Sequence, residues 1–285
     1  MAITNPLTWS WERVKLSAAS LGDPGLDDIK RPIPQSRDLA VAQIQISDLR
    51  EALARGMQDF AATRTDVLTL CLLYPLLGLV FASLASGSGM MPLVFPLASG
   101  FALMAPVAAI GLYELSRRRE MGLQARWTDM FAVLRSPALG QIVLLGLLLA
   151  GIYGIWLVVA SLIYDLTLGP QPPVSWGRFA QDLFTTPQGW TMIVVGMFVG
   201  FLFAVLVLMI SLVSFPLMLD RHVGVSTAMA VSVRAVMANK AAIAAWGLIL
   251  AAGLLAGSIP LLLGLAVVLP VLGHASWHLY RRMIH

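Results

Sequence analysis

Two histidines near the C-terminus, His274 and His278, have the type and spacing to bind a transition metal. Residues i and i+4 share a helix face, so both imidazoles would project from one side of a helix. Zinc or copper needs at least one more ligand, and hydrogen bonds that orient the set. Glu114 precedes Arg117 by the spacing at which His278 precedes Arg281, so His274, His278 and Glu114 form the candidate metal set. The same histidines have a plainer reading as polar anchors beside Trp277 and Tyr280 at a membrane–water boundary.

The other residues with chemical potential are carboxylates at the ends of apolar runs. An ionisable group within a span is a functional candidate by default, which singles out Glu114 and Asp220. Each lies close to arginine, Glu114 beside Arg117 and Arg118 and Asp220 beside Arg221, so ion pairing at headgroup level accounts for them as well as ion passage does. Arg281 closes the last apolar run in the same way, and Asp165, at an outer end, is expected to be solvated. The sequence contains no phosphate loop and no nucleophile paired with a base. It supports no enzyme class and calls for no cofactor.

What must position these residues is a set of membrane helices. Of 285 residues, 58% are apolar and 12% charged, against roughly 45–50% and about 25% in soluble domains. The charges are segregated: the first 66 residues hold 8 basic and 9 acidic side chains, half of the 34 in the chain. Met1–Ile46 reads as a mostly unstructured cytoplasmic arm and residues 47–285 as the membrane domain. The first 40 residues contain no apolar h-region, so the arm is expected to stay on the side of synthesis. The single cysteine, Cys71, lies in an apolar run and is read as packing. Net charge of +4 follows the helix ends rather than forming a nucleic-acid footprint, so the expected partners are the bilayer and other membrane subunits, with no nucleic acid.

A hydrocarbon core about 30 Å thick needs about 20 apolar residues per helix. Six runs qualify: Val67–Ala85, Met91–Leu115, Leu139–Tyr164, Gln188–Leu219, Ala241–Gly257 and Ile259–Tyr280. They pair as three hairpins, the first turning at Ser86–Gly89 and the last at Gly257, Ser258 and Pro260. With the N-terminus inside, 18 of the 19 lysines and arginines fall on inner segments and only Arg178 lies outside, the bias retained loops show. The expectation is an all-α, six-span membrane protein with both termini cytoplasmic.

Before each hairpin stands a short amphipathic stretch with basic residues. The first starts at Ser47–Asp48 with Leu49, Leu53, Met57 and Phe60 on one face and Arg55 opposite. The second starts at Thr128 with Met130, Phe131, Leu134 and Arg135, and ends at Pro137. The third starts at Ser226 with Met229, Val233, Val236, Met237, Arg234 and Lys240. Such segments can lie in the interface plane beside anionic headgroups. Proline also precedes arginine by the same interval at Pro106/Arg117 and Pro270/Arg281, though not at Pro216/Arg221. These features suggest a threefold internal repeat, a device of transporters and equally of plain bundles. On the outer side, Gly169–Pro173 breaks the chain and Ser175 should cap a short helix bearing Trp176 and Phe179, with Trp190 as a second aromatic anchor and Pro187 starting the next span.

The motifs Tyr113–Arg118, Leu219–Val223, Thr227–Met229 and Gly273–Arg281 resemble an uncharacterised family of bacterial six-helix integral membrane proteins. The resemblance runs from about Arg31 to the C-terminus. It implies a multi-pass inner-membrane protein of unassigned function, and some members carry the label cytochrome c oxidase subunit. A haem–copper catalytic subunit needs axial and copper-binding histidines on several helices. This chain has four histidines, of which only His274 and His278 lie in an expected span, so it is not that core. The resemblance leaves three readings: an accessory, assembly or scaffold component near respiratory complexes; a carrier or channel for a small solute or lipid; or metal or haem handling through His274 and His278.

Overall fold

A computed structural model describes residues 39–71, 83, 91–260 and 262–284. Most of the expected arm, residues 72–82 of the first span, the Ser86–Gly89 turn and the side chain of Cys71 lie outside the described residues. Among the described residues every regular element is helical. The lone β-bridge ties Val41 to Ile284, antiparallel.

Among the described residues, three helices are long and apolar enough to cross a membrane. They are α5 (Leu139–Thr167), the run Pro187–Arg221, made of α7 (Pro187–Ser211) and α8 (Ser214–Arg221), and α10 (Lys240–Ser258). Only 11% of the most apolar stretch of Pro187–Arg221 is buried. Val194, Phe198, Phe201 and Leu202 face outward, the inverse of a soluble helix and the pattern of one solvated by lipid.

The second expected span, Met91–Leu115, is not one helix. It comprises a 3-10 turn (Met91–Leu93), α2 (Val94–Leu103), α3 (Ala105–Ala108) and α4 (Ile110–Glu120). The chain turns at Met104 and again at Ala109; Pro106, in the first turn of α3, lacks an N–H and clashes with the carbonyl one turn back, which accounts for the first of these breaks. The last expected span also shifts. It begins six residues late, as α11 (Leu265–Met283), because the chain turns through Leu262 at φ 66°, and Gly257 and Gly264 pack so closely that a Cβ on Gly264 would sit 2.8 Å from Gly257.

The run Pro187–Arg221 is interrupted at Leu212–Val213 by a side chain from another helix, α9 (Val225–Ala238). The bond that would join Val213 N–H to the Met209 carbonyl is replaced by a hydroxyl. Val213 donates to Ser232 Oγ at 3.2 Å, and Ser232 Oγ donates to Met209 O at 2.8 Å. Both freed backbone groups are thereby satisfied at an insertion that breaks the ladder.

The three amphipathic stretches differ in fate. The first is no separate interfacial helix: α1 (Ile46–Cys71) runs without a break from Ile46 into the start of the first expected span. Its buried stripe is Leu49, Ala52, Gly56, Asp59 and Phe60, with Met57 exposed, and this stripe lies along α11. A Cβ at Gly56 would meet Ala275 N at 2.7 Å and Val271 O at 2.8 Å, so the helices touch backbone to backbone. The second is a 3-10 helix (Trp127–Arg135) with Trp127, Phe131 and Leu134 exposed. In the third, α9, the buried face is Ala228, Val231, Ser232, Ala235 and Val236, so packing claims the small residues and Met237 points outward. On the outer side, Ser175 caps α6 (Trp176–Thr185) by accepting from Arg178 N at 3.2 Å. Thr186 caps α7 with Pro187 in its first turn, and Asp165 is exposed.

Candidate functional site

The C-terminal half of α11 is the hub of the molecule. Trp277, Tyr280, Leu279 and Met283 are fully enclosed by α1, α4 and α8, and every polar residue on this stretch is answered by a carboxylate or hydroxyl from a neighbour.

At the centre lies Asp59 of α1, almost fully buried. Its Oδ1 pairs with Arg119 Nη1 at 2.8 Å. Its Oδ2 accepts from Ser116 Oγ at 2.5 Å and from His278 Nε2 at 2.8 Å. Burial pushes the Asp59 carboxyl up, but the hydrogen bonds from His278 and Ser116 outweigh it and hold it below the ordinary value of 3.8. A carboxylate only accepts, so His278 carries its proton on Nε2. Ser116, having given its proton to Asp59, accepts from His274 Nδ1 at 2.8 Å. His274 Nε2 is then the acceptor nitrogen, buried and without a hydrogen-bond partner among the described residues. Serine, histidine and aspartate therefore meet here, but not in the order of a hydrolytic relay. Ser116 stands between imidazole and carboxylate and is fully buried.

Two further networks surround this one. Glu120 accepts from Trp277 Nε1 at 3.0 Å and from Arg281 Nε at 2.9 Å. Arg281 reaches on to Asp220 at 3.4 Å, which also accepts from Tyr280 Oη at 2.7 Å and pairs with Arg221 at 3.4 Å. Glu114 takes Arg117 through two bonds, 2.8 and 3.1 Å, and Arg118 Nε at 2.8 Å; Arg118 continues to Asp129 at 2.9 Å. At the end of α11, Arg282 pairs with Asp48 and Glu51. Asn239 clasps the chain preceding α1, accepting from Ile44 N at 2.7 Å and donating to Ala42 O at 3.0 Å.

The structure thus separates the three residues of the sequence-based metal set. His274 and His278 do share a face, but Glu114 turns to Arg117 and Arg118, while His274 and His278 turn to Ser116 and Asp59. An arginine at i+3 and another at i+4 reach the Glu114 carboxylate within one helical turn, which decides its direction. Among the described residues no group of three or more His, Cys, Asp or Glu is arranged to hold a metal ion. Asp220, Arg221 and Arg281 do come together, as does Arg117 with Glu114. The residues that sequence reasoning missed are Asp59, Ser116 and Glu120. For Asp59 a signal existed: it shares the helical stripe of Ala52 and Gly56, a carboxylate on a face of small residues.

Residues 94–220 match the model of a family described as predicted integral membrane protein (DUF2189). Over that stretch, somewhat less than half of the chain, the sequence is similar to that family. The match starts at α2 and ends at Asp220, so it takes in Glu114, Ser116, Arg119 and Glu120 and stops short of Asp59 and α11, the partners that complete the networks. No curated protein and no solved structure matches the chain.

Proposed function

We propose that the chain is a non-catalytic accessory, assembly or scaffold component of the bacterial inner membrane. It crosses the bilayer six times, with both termini in the cytoplasm. The single observation that carries this reading is the closure of its acidic residues. Asp59, Glu114, Glu120 and Asp220, the carboxylates at the arginine-bearing helix ends, are each held by side chains of the same molecule. A proton or cation path needs carboxylates that exchange partners, whereas a clamp needs them paired. The exposed apolar faces of α5 and α7 supply the surface that lipid or a neighbouring subunit would cover. The respiratory association draws on the label of similar family members alone.

Affinity purification of the tagged protein from its own membranes in mild detergent, with mass spectrometry against an untagged control, tests the proposal. Stoichiometric recovery of respiratory subunits is the expected result. Recovery alone, or only as a homo-oligomer, overturns the accessory role and favours a carrier. That second reading is favoured by one feature, the hydroxyl-bridged break at Leu212–Val213, since interrupted helices are where transporters build sites. Uptake into proteoliposomes would then be measured next.

A further inference from the structure

A pocket of about 250 Å³ opens between α4, the 3-10 helix and the end of α8. Its polar lining is dominated by cations: Arg117, Arg118 and Arg135, with His222 beside them and Glu114 as the one carboxylate. Glu114 engages two donors of Arg117 and one of Arg118, and Asp129 takes another from Arg118. A guanidinium has five N–H donors, so both arginines retain donors beyond these bonds. Arg135 is exposed and has no ion pair among the described residues. The lining carries three positive charges against one negative. Arginine forks of this kind match the oxygens of a phosphate monoanion or diester.

The surroundings of the pocket distinguish which phosphate. Pro137, on its wall, lies two residues before the start of α5, one of the three helices able to cross the membrane. The opening turns of α5 leave Val143, Leu144 and Leu147 uncovered, and Phe131 and Leu134 of the 3-10 helix are exposed close by in the chain. A cationic recess at the mouth of a membrane helix, flanked by uncovered apolar side chains, is the arrangement that holds a lipid headgroup. We infer that this pocket binds the phosphate of an anionic phospholipid, with the acyl chains along the opening turns of α5. The inference rests on α5 crossing the bilayer, and not on the scaffold role or on which side the pocket faces.

The test uses the full-length protein in detergent, titrated with dihexanoylphosphatidylglycerol, dihexanoylphosphatidylcholine and inorganic phosphate, with the thermal unfolding midpoint as readout. Phosphatidylglycerol is expected to raise the midpoint saturably, less so at high salt, with phosphatidylcholine far weaker. Arg135→Gln should weaken the apparent affinity about tenfold, the loss of one charge-assisted hydrogen bond. His222→Asn, which suits the left-handed backbone at that position (φ 53°), should weaken it by less and serves if the first variant does not fold. Equal response to phosphatidylcholine, or unchanged response in both variants, overturns the site. Inorganic phosphate acting at the same concentration as phosphatidylglycerol overturns a lipid occupant. Extraction of the protein from membranes by alkaline carbonate would instead count against α5 as a span, so the two failures read differently.

Discussion

Asp59→Asn removes the charge on which Ser116, His278 and Arg119 converge while keeping the side chain's shape. Hydrogen bonds to a charged group contribute about 1.5–3 kcal/mol each, so a loss of about 2 to 4 kcal/mol is expected once the remaining amide bonds are counted, read as the unfolding midpoint in detergent. The pH dependence has a definite sign. Asp59 titrates below its ordinary value of 3.8 in the folded chain, held there by His278 and Ser116 against the opposing effect of burial. The unfolded chain therefore binds more protons, and stability from this group is complete above about pH 5 and is lost as pH falls through the lowered folded value. Asp59→Asn should flatten that acid limb. An unchanged limb would mean that other carboxylates set it. Ser116→Ala tests a different link: it strands His274 Nδ1, and its cost should be smaller than that of the aspartate because one neutral donor replaces a charge.

At the scale of elements, the tightest dependence is that of α1 on α11. Because a Cβ at Gly56 would meet Ala275 N at 2.7 Å, Gly56→Ala must push two backbones apart. A cost of about 1–3 kcal/mol is expected from overpacking, despite the gain of up to about 1 kcal/mol in helix propensity. Gly177→Ala in α6 is the control, since nothing lies within 4 Å of its Cβ position; it should be neutral or slightly stabilising. Equal effects at the two positions would contradict the close crossing. The break in the long run Pro187–Arg221 makes its own prediction. Ser232→Ala leaves Val213 N–H and Met209 O without the bridging hydroxyl, at about 1–3 kcal/mol for a buried unsatisfied group, whereas Ser232→Thr keeps it. If Ser232→Ala melts like the parent, the helix has closed over the gap.

For the whole molecule the decisive prediction is topological. In a Cys71→Ser background, a cysteine placed at Gly177 on α6 is expected to react with an impermeant maleimide on intact spheroplasts. One at Arg126, before the 3-10 helix, should react only after permeabilisation. Labelling of both from the same side would remove the six-span arrangement. The charge distribution motivates this expectation, since the arginine-rich helix ends of α4, α8 and α11 cluster in one polar plate while α6 carries Arg178 on its own.

Membrane class and the approximate ends of α5, α10 and the run Pro187–Arg221 were legible in the chain, though not the break within that run, because lipid selects apolar length and helix punctuation acts on neighbours. The run from Leu139, Pro187 in a first turn and Ser175 as a cap are decided within a few residues of themselves. The pairing of Glu114 with Arg117 and Arg118 was legible for the same reason, being confined to one turn. The division of Met91–Leu115 into separate short helices around Pro106 was not legible in its apolar run. What tertiary structure alone decided is which distant residues meet. Asp59 and His278 are 219 positions apart, and Asp59 and Ser116 are 57 apart. Their meeting depends on Gly56 letting α1 lie against α11, and nothing in the composition around either residue reveals that. Periodicity placed His274 and His278 on one face correctly, yet a helix face has no partner until another helix packs on it. The carboxylate that arrived was Asp59 because α1, not α4, presents its acid to the two histidines.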